Sequence, residues 1–183
     1  VLAQNTSLIE VRLDRCGLLD AGLAELSAGL RDHSGQLEFL SLRRNVFSSK
    51  KLSKLVEAVC QTAGLALGEL DLSENPLGVS GAKELAKILG SDCQLRSLCL
   101  QDCQIDLAAF WRLVANLRND RPLARLDLRV NPIGRGTRRC WRGTMAPNIR
   151  CEVMLSDHPL KALRELTAEE RETAKYPLPR WWV

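Results

Sequence analysis

Cys99 and Cys103 stand four residues apart in SLCLQDC, and thiolates are ligands for structural zinc. No CxxC pair accompanies them, which argues against a zinc site. The two histidines, His33 and His158, fall in connecting segments with no nucleophile at a telling spacing. There is no P-loop and no glycine-rich dinucleotide turn. No catalytic residue and no cofactor is therefore expected, and the chain does not read as an enzyme. Arg135, Arg138, Arg139, Arg142 and Arg150 form a basic run that could meet phosphates. Only Trp141 is interleaved with them and no nucleic-acid motif surrounds them, so a solvated end-cap is the preferred reading over nucleic acid.

The elements that would position these side chains announce themselves by repetition. Residues 67–77 read LGELDLSENPL and residues 123–133 read LARLDLRVNPI. A common frame underlies both: apolar, two free positions, apolar, one free, apolar, two free, Asn or Cys, one free, apolar. It occurs five times, opening at Leu8, Leu37, Leu67, Leu95 and Leu123, 28 to 30 residues apart. Such self-similarity marks a repeat array.

Within LDLSEN, Leu70 and Leu72 point one way and Glu69, Asp71 and Ser73 the other, the pattern of a short half-buried strand. Asn75 stands where the chain turns, and a buried amide there can bond backbone groups that have lost a ladder partner. Cys16 and Cys103 fill the same slot with a smaller, weaker donor, so the first and fourth units should be held less firmly. After the turn, GVSGAKELAKILG (78–90), GLAELSAGL (22–30) and AAFWRLVANL (108–117) carry apolar residues at helical spacing. Each unit is a strand and a helix joined by a right-handed crossover. One unit cannot bury its apolar edge alone, so stacked units place a parallel sheet inside an arc and helices outside.

The frame, its period and its helical return resemble the leucine-rich-repeat family, and within it the ribonuclease-inhibitor-like subfamily, over roughly residues 8–133. The resemblance implies an α/β fold: a leucine-rich-repeat solenoid, a right-handed βα horseshoe segment with concave parallel sheet and convex helices. The family's usual trade is holding other proteins. Residues 1–146 are assigned to the five-repeat solenoid and residues 147–183 to a C-terminal cap. In that cap, NIRCEVML (148–155) reads as a sixth strand, LKALRELTAEERETAKY (160–176) as a charged helix, or as two with Thr167 and Glu170 capping the second, and YPLPRWWV as an extended tail, since its prolines forbid helix. Trp111, on the fourth helix beside Phe110 and Leu113, reads as core.

The free positions of the frame should line the concave face and meet a protein partner. Arg12, Asp14, Phe39, Arg43, Glu69, Asp71, Arg125, Asp127 and Arg129 are the candidates, with Phe39 an apolar anchor and the arginines bidentate partners. A solvated face is the plainer alternative. The frame sends Cys99 outward to this face and Cys103 inward. Trp181 and Trp182 would expose a sizeable apolar patch if left in water. They either fold back over the last repeat or dock into a neighbouring subunit of a larger complex. The subfamily also includes a GTPase activator, and Arg15 and Arg44 lie near the rim positions such an activity would use; the chain lacks that relative's acidic tail.

With 183 residues, 45% apolar and 26% charged, the chain has material for one core and is not disordered. No apolar run is long enough to span a bilayer, so no membrane insertion is expected. The seven cysteines are odd in number, and several have places set by the repeat. That spacing speaks for a reducing, intracellular and cytoplasmic setting rather than a disulfide framework. The opening VLAQNTSLIE carries no Met and reads as a fragment or processed product.

Overall fold

The computed structural model describes residues 4–134, apart from residues 34, 63, 64, 118, 119 and 121, together with residues 150–155. Strands and helices alternate: β1 (Glu10–Arg12), α1 (Asp20–Arg31), β2 (Phe39–Ser41), α2 (Ser49–Gln61), β3 (Glu69–Asp71), α3 (Gly78–Gly90), β4 (Ser97–Cys99), α4 (Leu107–Val114), β5 (Arg125–Asp127) and β6 (Glu152–Met154). All six strands form one sheet in sequence order, and every pairing is parallel. The register repeats without a slip. Val11, Leu40, Leu70, Leu98, Leu126 and Val153 stand side by side across the sheet.

This row is the inner wall of the core. Leu40, Leu70, Leu98 and Leu126 are fully buried, as are Leu42, Leu72, Leu100 and Leu128 beside them. The helices supply the other wall through Leu23 and Leu30, Leu52 and Leu55, Leu85 and Leu89, then Phe110 and Leu113. A helix of one unit packs on the next: α1 on α2, α2 on α3, α3 on α4. The interior is thus a single apolar seam that no unit closes alone. Phe110 is fully enclosed, while Trp111 packs edge-on to it at 5.1 Å and lies partly buried against the core.

Each strand ends in the same turn, and the turn has a backbone signature. Arg15, Arg44, Glu74, Asp102 and Val130 all have φ between 47° and 63°, and each directly precedes the Asn-or-Cys slot. The residue in the slot then bonds the loosened backbone. Asn45 Nδ2 donates to Leu13 O at 2.8 Å and Leu42 O at 2.9 Å, and Asn75 Nδ2 to Leu42 O and Leu72 O, both at 2.9 Å. The amide oxygens accept in turn, Asn75 Oδ1 from the Asn45 N–H and Asn131 Oδ1 from the Cys103 N–H, each at 2.9 Å. A continuous amide ladder therefore runs behind the turns. Cys103 stays in it, its thiol reaching Leu72 O at 3.2 Å. Cys16 is exposed and reaches only Asp14 O at 3.5 Å, because no described strand precedes its own to offer a carbonyl.

Helix ends are handled unequally. Asp106 caps α4, accepting the Ala109 N–H at 2.8 Å. Asp20 does something else, accepting the Ser48 N–H at 2.6 Å and its hydroxyl at 2.8 Å and so clipping the first unit to the second. The Ser48 backbone bond holds that carboxyl below the ordinary aspartate range. Helix α4 stops at Val114, short of the 117 expected. Asn116 and Leu117 bond three residues back, and the Asn116 amide takes the Arg112 carbonyl at 2.8 Å, which tightens and ends the helix. The sixth strand expected within residues 148–155 is present as β6, parallel to β5. The charged helix, the extended tail and most of the basic run lie outside the described residues.

Candidate functional site

The open face of the sheet is built by the outward residues of the strands, and the register decides which of them touch. One row runs Glu10, Phe39, Glu69, Ser97, Arg125, Glu152; the next runs Arg12, Ser41, Asp71, Cys99, Asp127, Met154. Neighbouring strands are only about 4.8 Å apart, so long side chains close over short ones beside them. Ser41, Ser73 and Ser97 are buried for this reason.

Three groupings organise the face. At the first, the Arg12 guanidinium lies over the Phe39 ring, 4.6 Å from its centroid, and also bonds Glu10. The ring remains half-exposed, presenting an apolar surface with a cation above it. At the second, Arg43 bonds the Glu74 carboxylate through Nε at 2.8 Å and through Nη2. This hydrogen bond raises the arginine pKa and lowers that of Glu74. Arg44 stands 3.8 Å from the same carboxylate, and Asp14 accepts the Arg43 N–H at 3.1 Å and the Ser41 hydroxyl.

The third grouping corrects an expectation. Asp127 was expected to face a partner, but its side chain is 1% exposed. Arg129 grips it through Nε at 2.9 Å and Nη2 at 2.6 Å, Gln101 Nε2 donates to it at 2.9 Å, and Arg125 Nη2 lies 3.9 Å away. Burial pushes its pKa up, but the Arg129 hydrogen bonds outweigh burial and leave the carboxyl below the ordinary value. A carboxylate this enclosed persists because it is paired and bonded. Asp127 orients the arginines; the arginines are what a partner could reach. Arg125 is exposed and its Nε lies 3.1 Å from Met154 Sδ.

Between the groupings lies a quieter strip. Glu69 is exposed and Asp71 half-buried, the latter accepting the Ser73 N–H at 2.8 Å. Cys99 does point to the open face and Cys103 into the core. Burial, and next the Asp71 charge, push the Cys99 thiol above its ordinary pKa. Among the described residues no three His, Cys, Asp or Glu side chains converge as metal ligands. Glu74 escaped the sequence reading, since it stands outside the strand frame and its left-handed turn carries no side-chain signature. Arg15 and Arg44 do sit on the rim after their strands, both exposed. Trp181 and Trp182 lie outside the described residues.

In-phase parallel strands, helices stacked behind them and an amide ladder at the turns define a leucine-rich-repeat solenoid. No family-wide sequence profile matches the chain. Individual relatives do. NACHT, LRR and PYD domains-containing protein 12 of Mus musculus is 36% identical over 130 residues, 70% of this chain and 12% of the relative. The ribonuclease inhibitor of Sus scrofa is 33% identical over 135 residues, 73% of this chain and 29% of the relative. That of Mus musculus is 31% identical over 154 residues, 83% of this chain and 33% of the relative. The chain is a leucine-rich-repeat protein of the ribonuclease-inhibitor-like kind. It spans 12% to 33% of the length of these three relatives.

Proposed function

We propose that this chain is a non-catalytic recognition module that holds a protein partner on the open face of its sheet. The observation that carries the reading is the Arg12–Phe39 stack, a half-exposed aromatic under a cation at one end of a face whose other end presents Arg125 and Arg129. Rigid aromatic and arginine groups of this kind dominate the energetics of protein interfaces. The relatives include proteins named for inhibiting a ribonuclease, which is itself binding to a protein. Arg43, Glu69 and Asp71 lie between the two ends and set orientation, while Asp14 and Asp127 act through the arginine side chain and backbone they hold. The cysteines in the described residues are all unpaired, which supports a reducing, cytoplasmic setting.

The test is a capture experiment with three forms of the chain. Phe39→Asp and Arg125→Glu alter the open face, at a half-buried and an exposed position respectively, and Lys83→Glu alters the helical side. A pancreatic-type ribonuclease serves as the direct probe, and cell extract analysed by mass spectrometry covers other partners. Proteins retained by wild type and Lys83→Glu but lost by both open-face variants support the reading. Retention by every form, or loss only with Lys83→Glu, refutes it.

A further inference from the structure

The first unit is sealed less well than the units behind it, and the shortfall is systematic. Leu8, Val11, Leu13 and Leu18 are half-buried, whereas their counterparts Leu37, Leu40, Leu42 and Phe47 are closed off from water. The helix layer repeats the pattern. Leu26 of α1 is half-buried, while Leu55, Leu85 and Leu113 hold the same place on α2, α3 and α4 and are fully enclosed. Position in the stack explains the difference. β1 pairs only with β2 and α1 packs on α2, with no described strand or helix on their other sides.

The uncovered end has three parts, and together they specify what fits it. The carbonyls of Arg12 and Asp14 correspond to those of Ser41 and Arg43, which accept the Leu13 and Arg15 N–H groups at 2.8 and 2.9 Å. On β1 they face away from the sheet, and a strand in the same register would meet them. A strand alone would leave Leu26 open, so a helix must come with it. The third part is Cys16. Cys103 fills the same slot with a unit ahead of it, and there the thiol is buried and donates to Leu72 O of that unit at 3.2 Å. Cys16 has the same chemistry without that carbonyl; it is exposed and reaches only Asp14 O of its own turn, at 3.5 Å. A strand, a helix and a turn carbonyl in fixed phase are what each unit of this structure supplies to the next. Terminal repeats shield the seam with a polar outer face, whereas this end offers leucine, valine and a thiol.

We propose that the first unit is built as an interior repeat, and that its open end takes a further leucine-rich-repeat unit stacked ahead of it in the same polypeptide. The strand of that unit pairs with β1, its helix packs on α1, and a carbonyl at its turn accepts the Cys16 thiol. The relatives run well beyond the stretch that this chain matches, which leaves room for such a unit. This surface is separate from the open face and does not depend on what that face binds.

The test extends the chain by one unit. Residues 37–66 copied directly ahead of Leu8 keep the frame in phase, since Leu67 holds the place of Leu8. Residues 67–94 copied there give a second form on the same logic, since Leu95 follows them. A control copy of 37–66 carries Leu40→Ser and Leu42→Ser, which break its share of the seam. Iodoacetamide labelling of Cys16, read by peptide mass spectrometry, and urea unfolding are compared with those of the 183-residue chain. Both extensions should slow Cys16 labelling by about tenfold or more and raise the urea midpoint; the control should do neither. Unchanged labelling of Cys16 in both extended forms overturns the proposal, and so does an unchanged midpoint. Failure of both forms to fold, judged by circular dichroism, overturns it too, because the end then does not accept a unit. Sedimentation velocity on the 183-residue chain covers the other occupant: a dimer in which Cys16 is protected would assign the end to a second copy and overturn the unit proposed.

Discussion

Replacing Asn75 by alanine tests the claim that the amide ladder, not the leucine seam alone, holds the turns. Asn75 is fully buried and its side chain serves four backbone groups: it accepts from the Asn45 N–H and donates to Leu42 O and Leu72 O, all at 2.9 Å, and reaches Ser73 O more weakly at 3.2 Å. These losses are unequal. Leu42 O keeps the Asn45 amide at 2.9 Å and Leu72 O keeps the Cys103 thiol at 3.2 Å. The Asn45 N–H loses its acceptor inside the protein. Stranding that donor costs about 1–3 kcal/mol, and each of the two lost carbonyl bonds about 1 kcal/mol. Asn75→Ala should therefore destabilise by about 3–5 kcal/mol, a large fraction of the roughly 5–15 kcal/mol that domains possess. Asn75→Cys copies the solution the fourth repeat uses, since a thiol can still donate to Leu42 O, and should cost about half as much. Urea unfolding followed by far-ultraviolet circular dichroism gives the midpoint and slope. A fall in midpoint at constant slope, larger for Ala than for Cys, is the expected result. A loss below about 1 kcal/mol for Asn75→Ala would refute the reasoning, because no buried donor could then have been stranded.

Other expectations follow from the same geometry. Cys103 and Cys151 have thiols that burial pushes up to about 12, so iodoacetamide at neutral pH should label exposed Cys16 first and these two only on unfolding; early labelling of Cys103, read by peptide mass spectrometry, would contradict its placement. Asp127 has its folded pKa below the ordinary 3.8, so its pairing stabilises the fold above that value and is lost as pH falls through the depressed one. Asp127→Asn should lower stability at neutral pH and flatten its decline below about pH 4, measured by urea midpoints across pH. Val130 holds φ at 63°, which a β-branched residue adopts at a cost. Val130→Asn should therefore raise the unfolding midpoint by about 1 kcal/mol equivalent, and a fall would show that the valine side chain is packed rather than strained.

Much of the fold could be read before any coordinates, because it is written in residues that face one interior. The leucine frame predicts the strands, their parallel order and the row from Val11 to Val153, since alternation along a strand and a fixed period leave one way to stack. The Asn slot was legible for the same reason: its bonds go to backbone, which every repeat supplies. The left-handed residue before it was not, since Arg15, Arg44, Glu74, Asp102 and Val130 share a backbone conformation and no side-chain chemistry.

The open face divides the same way. Which residues point outward follows from alternation, but which of them stay reachable depends on neighbours one repeat away. Asp127 and Asp71 occupy the same place in the frame; one is enclosed and the other half-open. Asp127 is flanked by Arg125, Arg129 and Gln101, whose long donors converge on it. Asp71 has Glu69 and Ser73 along the chain and Ser41 and Cys99 across, and the cation whose charge it feels, Arg43, is held by Glu74 instead of closing over it. Cys16 and Cys103 likewise share a slot and differ in burial, because among the described residues only Cys103 has repeats on both sides. A linear pattern specifies direction, whereas lateral pairing and enclosure arise only when separate strands are brought to within one side chain of each other.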